Sequence, residues 1–138
     1  MDDTNKHKHI ALGILKDPKG RVLIIKRTNS EDAQDGQKLT WVFPGGEVEE
    51  GSPQEEIVKE FKEETGYQVE VTDKISERDY EKPFVHLEYY KCNLVKFAGA
   101  VVENTEEVDR IKWLEPNLIK KFFTTDMDPA VAGYLGID

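Results

Sequence analysis

One cysteine, Cys92, stands among 138 residues, so no internal disulfide can form. No apolar run approaches the roughly 20 residues that a helical membrane span requires. The first nine residues, Met1 to His9, hold no apolar segment of the kind that directs secretion. A cytoplasmic location and the absence of a membrane partner are the expectations. Cations are in the minority: 19 Lys and Arg against 28 Asp and Glu leave a net charge of −9. The basic footprint that duplex nucleic acid demands is therefore missing. Repeats, low-complexity tracts and linker-like stretches are missing too. What is present fits a single globular domain over residues 1–138, with 38% hydrophobic residues to close a core. Residues 1–8 are expected to be a flexible N-terminus, with the His7-Lys8-His9 group binding metal only weakly.

Two short apolar runs, Ile10–Leu15 and Val22–Ile25, flank the turn residues Asp17-Pro18-Lys19-Gly20 and read as a β-hairpin. Residues 28–40 are polar and read as a long exposed loop. Trp41-Val42-Phe43 is a short strand ended by Pro44-Gly45-Gly46. Further strands are expected over Tyr67–Val71, Phe84–Phe97 and Val108–Leu114, and short helices over Pro116–Phe123 and Pro129–Leu135. The one strong helix is Pro53–Thr65. Ser52 is its N-cap, Glu55 completes a capping box, Pro53 suits the first position and Gly66 suits a left-handed C-cap. This order of elements predicts an α/β domain with a mixed sheet flanked by helices.

The strong helix carries an unfavourable charge pattern. On a helical wheel Glu56, Glu60, Glu63 and Glu64 share an arc of roughly 100°. Ile57, Phe61 and Val58 fall beside that arc as the expected buried stripe. Glu56–Glu60 and Glu60–Glu64 are i,i+4 like-charge pairs, each costing roughly 0.2–0.5 kcal/mol when exposed. The last two glutamates also face the negative end of the helix dipole. A hard divalent cation would reverse the sign of every one of these terms. A solvated acidic surface is the plainer explanation of such a face. Against it stand the adjoining apolar stripe and the Gly45-Gly46 backbone just upstream, which lets a ligand approach closely.

The segment Gly45-Gly46-Glu47-Val48-Glu49-Glu50-Gly51-Ser52-Pro53, continued by Lys59-Glu60-Phe61-Lys62-Glu63-Glu64-Thr65-Gly66-Tyr67, resembles the Nudix box, G-x5-E-x7-R-E-U-x-E-E-x-G-U. The opening strands ending in Lys26-Arg27, the Leu87–Cys92 strand, the Ile111–Pro116 segment and Phe122-Phe123 are similar to small MutT-type members. The resemblance covers most of the chain and implies the Nudix fold, a mixed sheet sandwiched between helices. Two departures stand out. The loop half is one residue short, so the first glutamate of the box has no counterpart. Lys59 replaces the box arginine and lacks its bidentate fork. The two changes are expected to compensate each other.

The resemblance implies hydrolysis of a nucleoside diphosphate linked to another group, most simply a nucleoside triphosphate, with Mg²⁺ as cofactor and Mn²⁺ as a substitute. Glu60 and Glu64 would be the main ligands, and the Gly45 carbonyl would complete the shell. Glu63 would be a further ligand or the base that takes a proton from water, and Lys59 stands where the catalytic helix is oriented. One of Glu103, Glu106 and Glu107 would add a carboxylate; Glu106, in the middle, represents the three. Arg27 sits where relatives contact a phosphate. Asp126 and Asp128 flank Met127 in a base-reading segment, although the plainer role of these two acids is helix capping before Pro129. Tyr80 is a candidate stacking residue, while Trp41 and Phe84 read as core. His86 reads as a packed side chain and Cys92 as strand core. Nudix proteins often form homodimers, but no residue here marks an interface. The alternative to an enzyme is a Nudix-fold nucleotide-binding module without turnover.

Overall fold

The computed structural model describes residues 8–32, 38–81, 84–96, 108–123 and 127–137. Within these, only the backbone is described for residues 27–32, 38–40, 80–81, 96 and 108–110. The elements in chain order are β1 (Lys8–Leu15), β2 (Val22–Asp32), β3 (Lys38–Val42), β4 (Gly45–Glu47), α1 (Pro53–Thr65), β5 (Gln68–Glu81), β6 (Phe84–Lys96) and β7 (Val108–Leu114). A 3₁₀ turn (Pro116–Lys121) and α2 (Pro129–Leu135) follow.

The strands form two sheets, ordered β4-β1-β6-β5 and β3-β2-β7. β1 runs parallel to β6, with His9 opposite His86 and Ala11 opposite Glu88, and antiparallel to β4, with Ala11 opposite Gly46. The expected β1–β2 hairpin does not form. The turn is there, with Asp17 accepting from the Lys19 and Arg21 N–H groups at 2.9 and 2.8 Å. Beyond the isolated bridge Lys16–Val22, however, the two strands diverge into different sheets. Both runs are apolar on both faces, so each strand is buried between layers, and a two-stranded ribbon would leave one face wet.

Alternation along the strands sorts side chains into two clusters. Ala11, Leu15, Leu23, Tyr90 and Cys92 join Ile57 and Phe61 of α1. Ile14, Val22, Ile24 and Tyr89 join Phe43, Ile119 and Val131, Ala132 and Leu135 of α2. The helices therefore cover opposite faces, as the α/β reading expects. Ile57 and Phe61 are fully buried, each stabilising by roughly 1.5–3 kcal/mol. Gly13 lets α1 lie close: a Cβ there would come 2.6 Å from Phe61 and 2.7 Å from Cys92 Sγ.

Several expectations need correction. Residues expected as loop belong to strand at both ends, since β2 runs to Asp32 and β3 starts at Lys38; cross-strand pairing overrides their polar composition. Lys8 and His9 are strand, not mobile terminus, because β6 pairs with them. β5 runs on to Glu81, so the polar stretch Glu77–Glu81 is strand as well. Val58 is 40% exposed and Phe84 38% exposed, so neither is core. Val58 lies one position beyond the narrow stripe made by Ile57 and Phe61, and Phe84 opens β6 at the sheet margin. Trp41 is half-buried and meets Phe122 edge-on at 5.4 Å.

Candidate active site

The site is built where α1 crosses β4. All the sequence-level cap signals are realised. Ser52 Oγ accepts from the Glu55 N–H at 3.1 Å, Glu55 Oε1 accepts from the Ser52 N–H at 3.0 Å, and Gly66 closes the helix at φ 79°. These caps fix the helix register and hence the direction in which its glutamates project. The turn after Phe43 is fastened to β1, where the Gly13 N–H donates to the Pro44 carbonyl at 2.8 Å and the Val48 N–H donates to the His9 carbonyl at 2.6 Å.

Glycine is required at this bend. Gly45 has φ +152°, and a Cβ there would come 2.1 Å from the Ala11 carbonyl oxygen. A Cβ on Gly46 would come 2.9 Å from Glu60 Oε2. The Glu60 carboxylate thus lies directly on the Gly46 backbone. Beside it, Glu64 is 2% exposed and its Oε1 accepts from the Gly45 N–H at 3.2 Å. Glu63 is half-buried. Glu56, one turn earlier, is 7% exposed.

Crowding leaves an electrostatic mark. Burial first, then the hydrogen bond with Glu56 and the charges of Glu64, Glu56 and Glu63, pushes the Glu60 carboxyl up to about 9. A carboxyl that must be protonated to tolerate its neighbours is one that a divalent cation would ionise. Hard oxygen donors on one ridge, facing a backbone bend, fit a hard cation such as Mg²⁺ or Mn²⁺. Lys59 brings a compensating charge on α1; its Nζ stands 3.8 Å from Glu56 Oε2 on an exposed side chain. Glu56 is thus a carboxylate within reach of Lys59 on the same helix.

The other sequence-predicted residues are less gathered. The Arg27 backbone lies at a β-bulge on β2, opposite Val108, and the Tyr80 backbone pairs with Val85; both side chains lie outside the described residues. So do Glu103, Glu106, Glu107 and Asp126 altogether. Asp128 is 5% exposed and N-caps α2, accepting from the Ala130 and Val131 N–H groups at 2.9 and 3.2 Å. Its second oxygen accepts from the Ser76 hydroxyl at 3.2 Å and from Arg78 at 3.4 Å. Cys92 is buried, and that burial pushes its thiol up to about 12, which makes it inert.

Sequence reasoning missed a second cluster on the same sheet face, made by His9, His86 and Glu88 with Glu77, Asp79, Lys74 and Tyr90 around them. His9 and Glu88 are 79 residues apart, and no local spacing marks them. The only sequence signal is that β6 places His86 and Glu88 at i,i+2, and hence on one face.

Comparison with known proteins agrees with this geometry. The NUDIX domain model matches residues 6–133. An 8-oxo-dGTP diphosphatase from Escherichia coli (strain K12) is 32% identical over 83 residues, which are 59% of this chain and 61% of that protein. A crystal structure of a UDP-X diphosphatase superposes with TM-score 0.61 and 23% identity, over 79% of this chain and 51% of that one. A NUDIX hydrolase from Nitrosomonas europaea gives TM-score 0.75 at 14% identity, over 95% of this chain and 90% of that one. The matched part thus spans about half to three-fifths of the first two relatives, and the low-identity structures bear on the fold alone. With a family match over nearly its whole length, the chain belongs to the NUDIX domain family.

Proposed function

We propose that this protein is a divalent-cation-dependent pyrophosphohydrolase acting on a nucleoside diphosphate linked to another group, of which a nucleoside triphosphate is the simplest. The observation that carries the reading is the contact of Glu60 with the Gly46 backbone, beside the Glu64 carboxylate on the Gly45 N–H. Surface glutamates do not pack in this way. The names of relatives, which include an 8-oxo-dGTP diphosphatase and a UDP-X diphosphatase, support the substrate class.

Glu60, Glu63, Glu64 and the Gly45 carbonyl would hold Mg²⁺, with Glu106 or a neighbour as a further ligand. When bound, the cation would neutralise pyrophosphate oxygens and lower the pKa of a coordinated water. The protein's own part is positioning and proton transfer. Glu63, half-buried at the rim of the ridge, is the carboxylate assigned to take the water's proton. Lys59 and Glu56 brace the helix face, and Glu64 ties helix to bend. Arg27 would meet a phosphate, and Tyr80 and Asp126 the base, while Asp128, buried and engaged through both oxygens, serves as the α2 N-cap instead.

The test is a screen of nucleoside triphosphates, sugar nucleotides, ADP-ribose and dinucleoside polyphosphates, with Mg²⁺ and then Mn²⁺. Release of phosphate or pyrophosphate, abolished by EDTA, is the expected result. A second reading, a nucleotide-binding module without turnover, is favoured by the largely exposed Lys59 in the arginine position. Binding of ADP-ribose with no product under any metal would establish it instead.

A further inference from the structure

One row of residues crosses the four-stranded sheet: Gly46 on β4, Ala11 on β1, Glu88 on β6 and Glu77 on β5. Glu60 rests on the Gly46 end. Glu88 stands two strands away, roughly 10 Å at ordinary strand spacing, and its side chain shares the α1 face with Tyr90 and Cys92. Around it the imidazoles converge. His9 Nε2 lies 2.8 Å and His86 Nε2 3.0 Å from the same oxygen, Glu88 Oε2. All three donor atoms lie within 4.8 Å of one another. Glu88 is 6% exposed, while the histidine side chains remain 33% and 29% exposed, so ions can reach them.

The surroundings orient these atoms. The Tyr90 hydroxyl donates to the other Glu88 oxygen, and Lys74 Nζ stands 3.9 Å from it. Oε2 is thereby left to the imidazoles. His86 Nδ1 donates to Asp79 Oδ1 at 2.7 Å. That bond directs the Nε2 lone pair of the neutral ring at Glu88 Oε2, and at Glu77 Oε1, 3.1 Å away. A carboxylate on the far nitrogen is the arrangement that metal-ligating histidines use. Lone pairs facing each other at these distances require a positive centre between them. A proton on Nε2 is one such centre, and a metal ion is the other. Donors bound to tetrahedral zinc at about 2.0–2.1 Å stand about 3.3–3.4 Å apart, so each imidazole needs to withdraw from Glu88 Oε2 by only a few tenths of an ångström, while the two imidazoles, within 4.8 Å of each other, must settle at that same spacing. Among the described residues, three carboxylates, Glu77, Asp79 and Glu88, stand with one lysine, Lys74, and this excess of acids makes the pocket anionic.

We propose that His9, His86 and Glu88 form a binding site for a borderline transition metal such as Zn²⁺, separate from the all-carboxylate ridge on α1. Two imidazoles and one carboxylate are a zinc donor set that leaves a fourth position to water, whereas Mg²⁺ prefers oxygen alone. The site ties β1 to β6 across their parallel pairing. It does not depend on the proposed hydrolase activity.

The test is direct titration of the untagged, metal-stripped full chain with Zn²⁺ in excess Mg²⁺, followed calorimetrically, and with Co²⁺ as a visible-absorption probe. One tight equivalent is expected. His86→Ala and His9→Ala should each weaken it at least ~100-fold, and Asp79→Asn ~10-fold. His7→Ala and Glu60→Gln should leave it within about twofold. His86→Gln, checked by circular dichroism for retained fold, guards against loss through misfolding. Absence of a stoichiometric equivalent in the wild type overturns the proposal; nuclear magnetic resonance would then show a protonated His86 Nε2. An equivalent that vanishes with Glu60→Gln, or survives His9→Ala and His86→Ala, overturns it as well.

Discussion

The two clusters on the α1 face of the four-stranded sheet solve the burial of carboxylates in opposite ways. On the ridge, Glu56, Glu60, Glu63 and Glu64 come from one helix, and among the described residues Lys59 stands beside Glu56. Burial first, and then its like-charged neighbours, push the Glu60 carboxyl up. In the strand cluster, Glu88 is as buried as Glu56, yet its pKa falls below the ordinary 4.5. Burial alone would raise it, but Tyr90, His9 and Lys74 outweigh that cost. One cluster has excess charge and the other has its own donors. The lesson is that a buried acid among like charges calls for a hard cation, whereas one among imidazoles can be satisfied by protons or by a borderline metal in their place.

The sharpest way to break the comparison is to remove charge from the ridge. Glu64→Gln is expected to lower kcat at least ~100-fold in Mg²⁺ with the fold retained, as loss of a metal ligand or of the base's support predicts. Steady-state kinetics with far-ultraviolet circular dichroism would check it, and near-wild-type turnover would leave the ridge without its proposed role. Next, Gly13→Ala forces a methyl against Phe61, Cys92 and Ile57. The overpacking should cost about 1–3 kcal/mol in urea denaturation and lift α1 from the sheet, lowering activity in parallel.

Smaller is the coupling between the two departures from the Nudix box. Inserting Glu after Gly51 and restoring Lys59→Arg should show an interaction energy of about 0.5–3 kcal/mol in stability, measured by a double-mutant cycle. Additive effects would mean that Glu56 already satisfies Lys59.

The smallest effect belongs to the strand cluster and sharpens its half of the contrast. The hydrogen bond to Asp79 first, then Glu88, outweighs burial and raises the His86 pKa above the ordinary 6.5. A raised imidazole stabilises fully below 6.5 and ceases to do so as pH climbs through its folded value. Glu88, held low, stabilises above 4.5 and loses that effect as pH drops through its folded value. In metal-free buffer, His86→Gln should therefore lose most against wild type between about pH 4.5 and 6.5, with the gap closing at higher pH. Denaturant midpoints across pH would show it, and a gap that widens with alkalinity would contradict the assignment.

What was legible in the sequence follows from the range of the interactions. The α1 boundaries, caps and glutamate face depend on neighbours three or four positions away, and every one of them is realised in the fold. The Gly45-Gly46 bend, too, lay in a contiguous motif. Pairings that are set by the tertiary fold were not legible. The apolar pattern of Ile10–Leu15 and Val22–Ile25 fits a hairpin as well as two strands in separate sheets, and only the position of β6 decides. His9 and His86 meet through that same parallel register. Val58 was misjudged because the packed stripe is narrower than an idealised wheel suggests.

β1 lies inside its sheet, between β4 and β6, and its parallel neighbour follows far downstream in the chain. On a translating ribosome adding ~5–20 residues per second, the 79 positions from His9 to Glu88 take roughly 4–16 s to emerge. During that interval β1 has β4 for company on one side and a bare edge on the other. A nascent chain stalled before β6 would therefore present an unsatisfied hydrogen-bonding edge, the kind of surface that holdase chaperones shield.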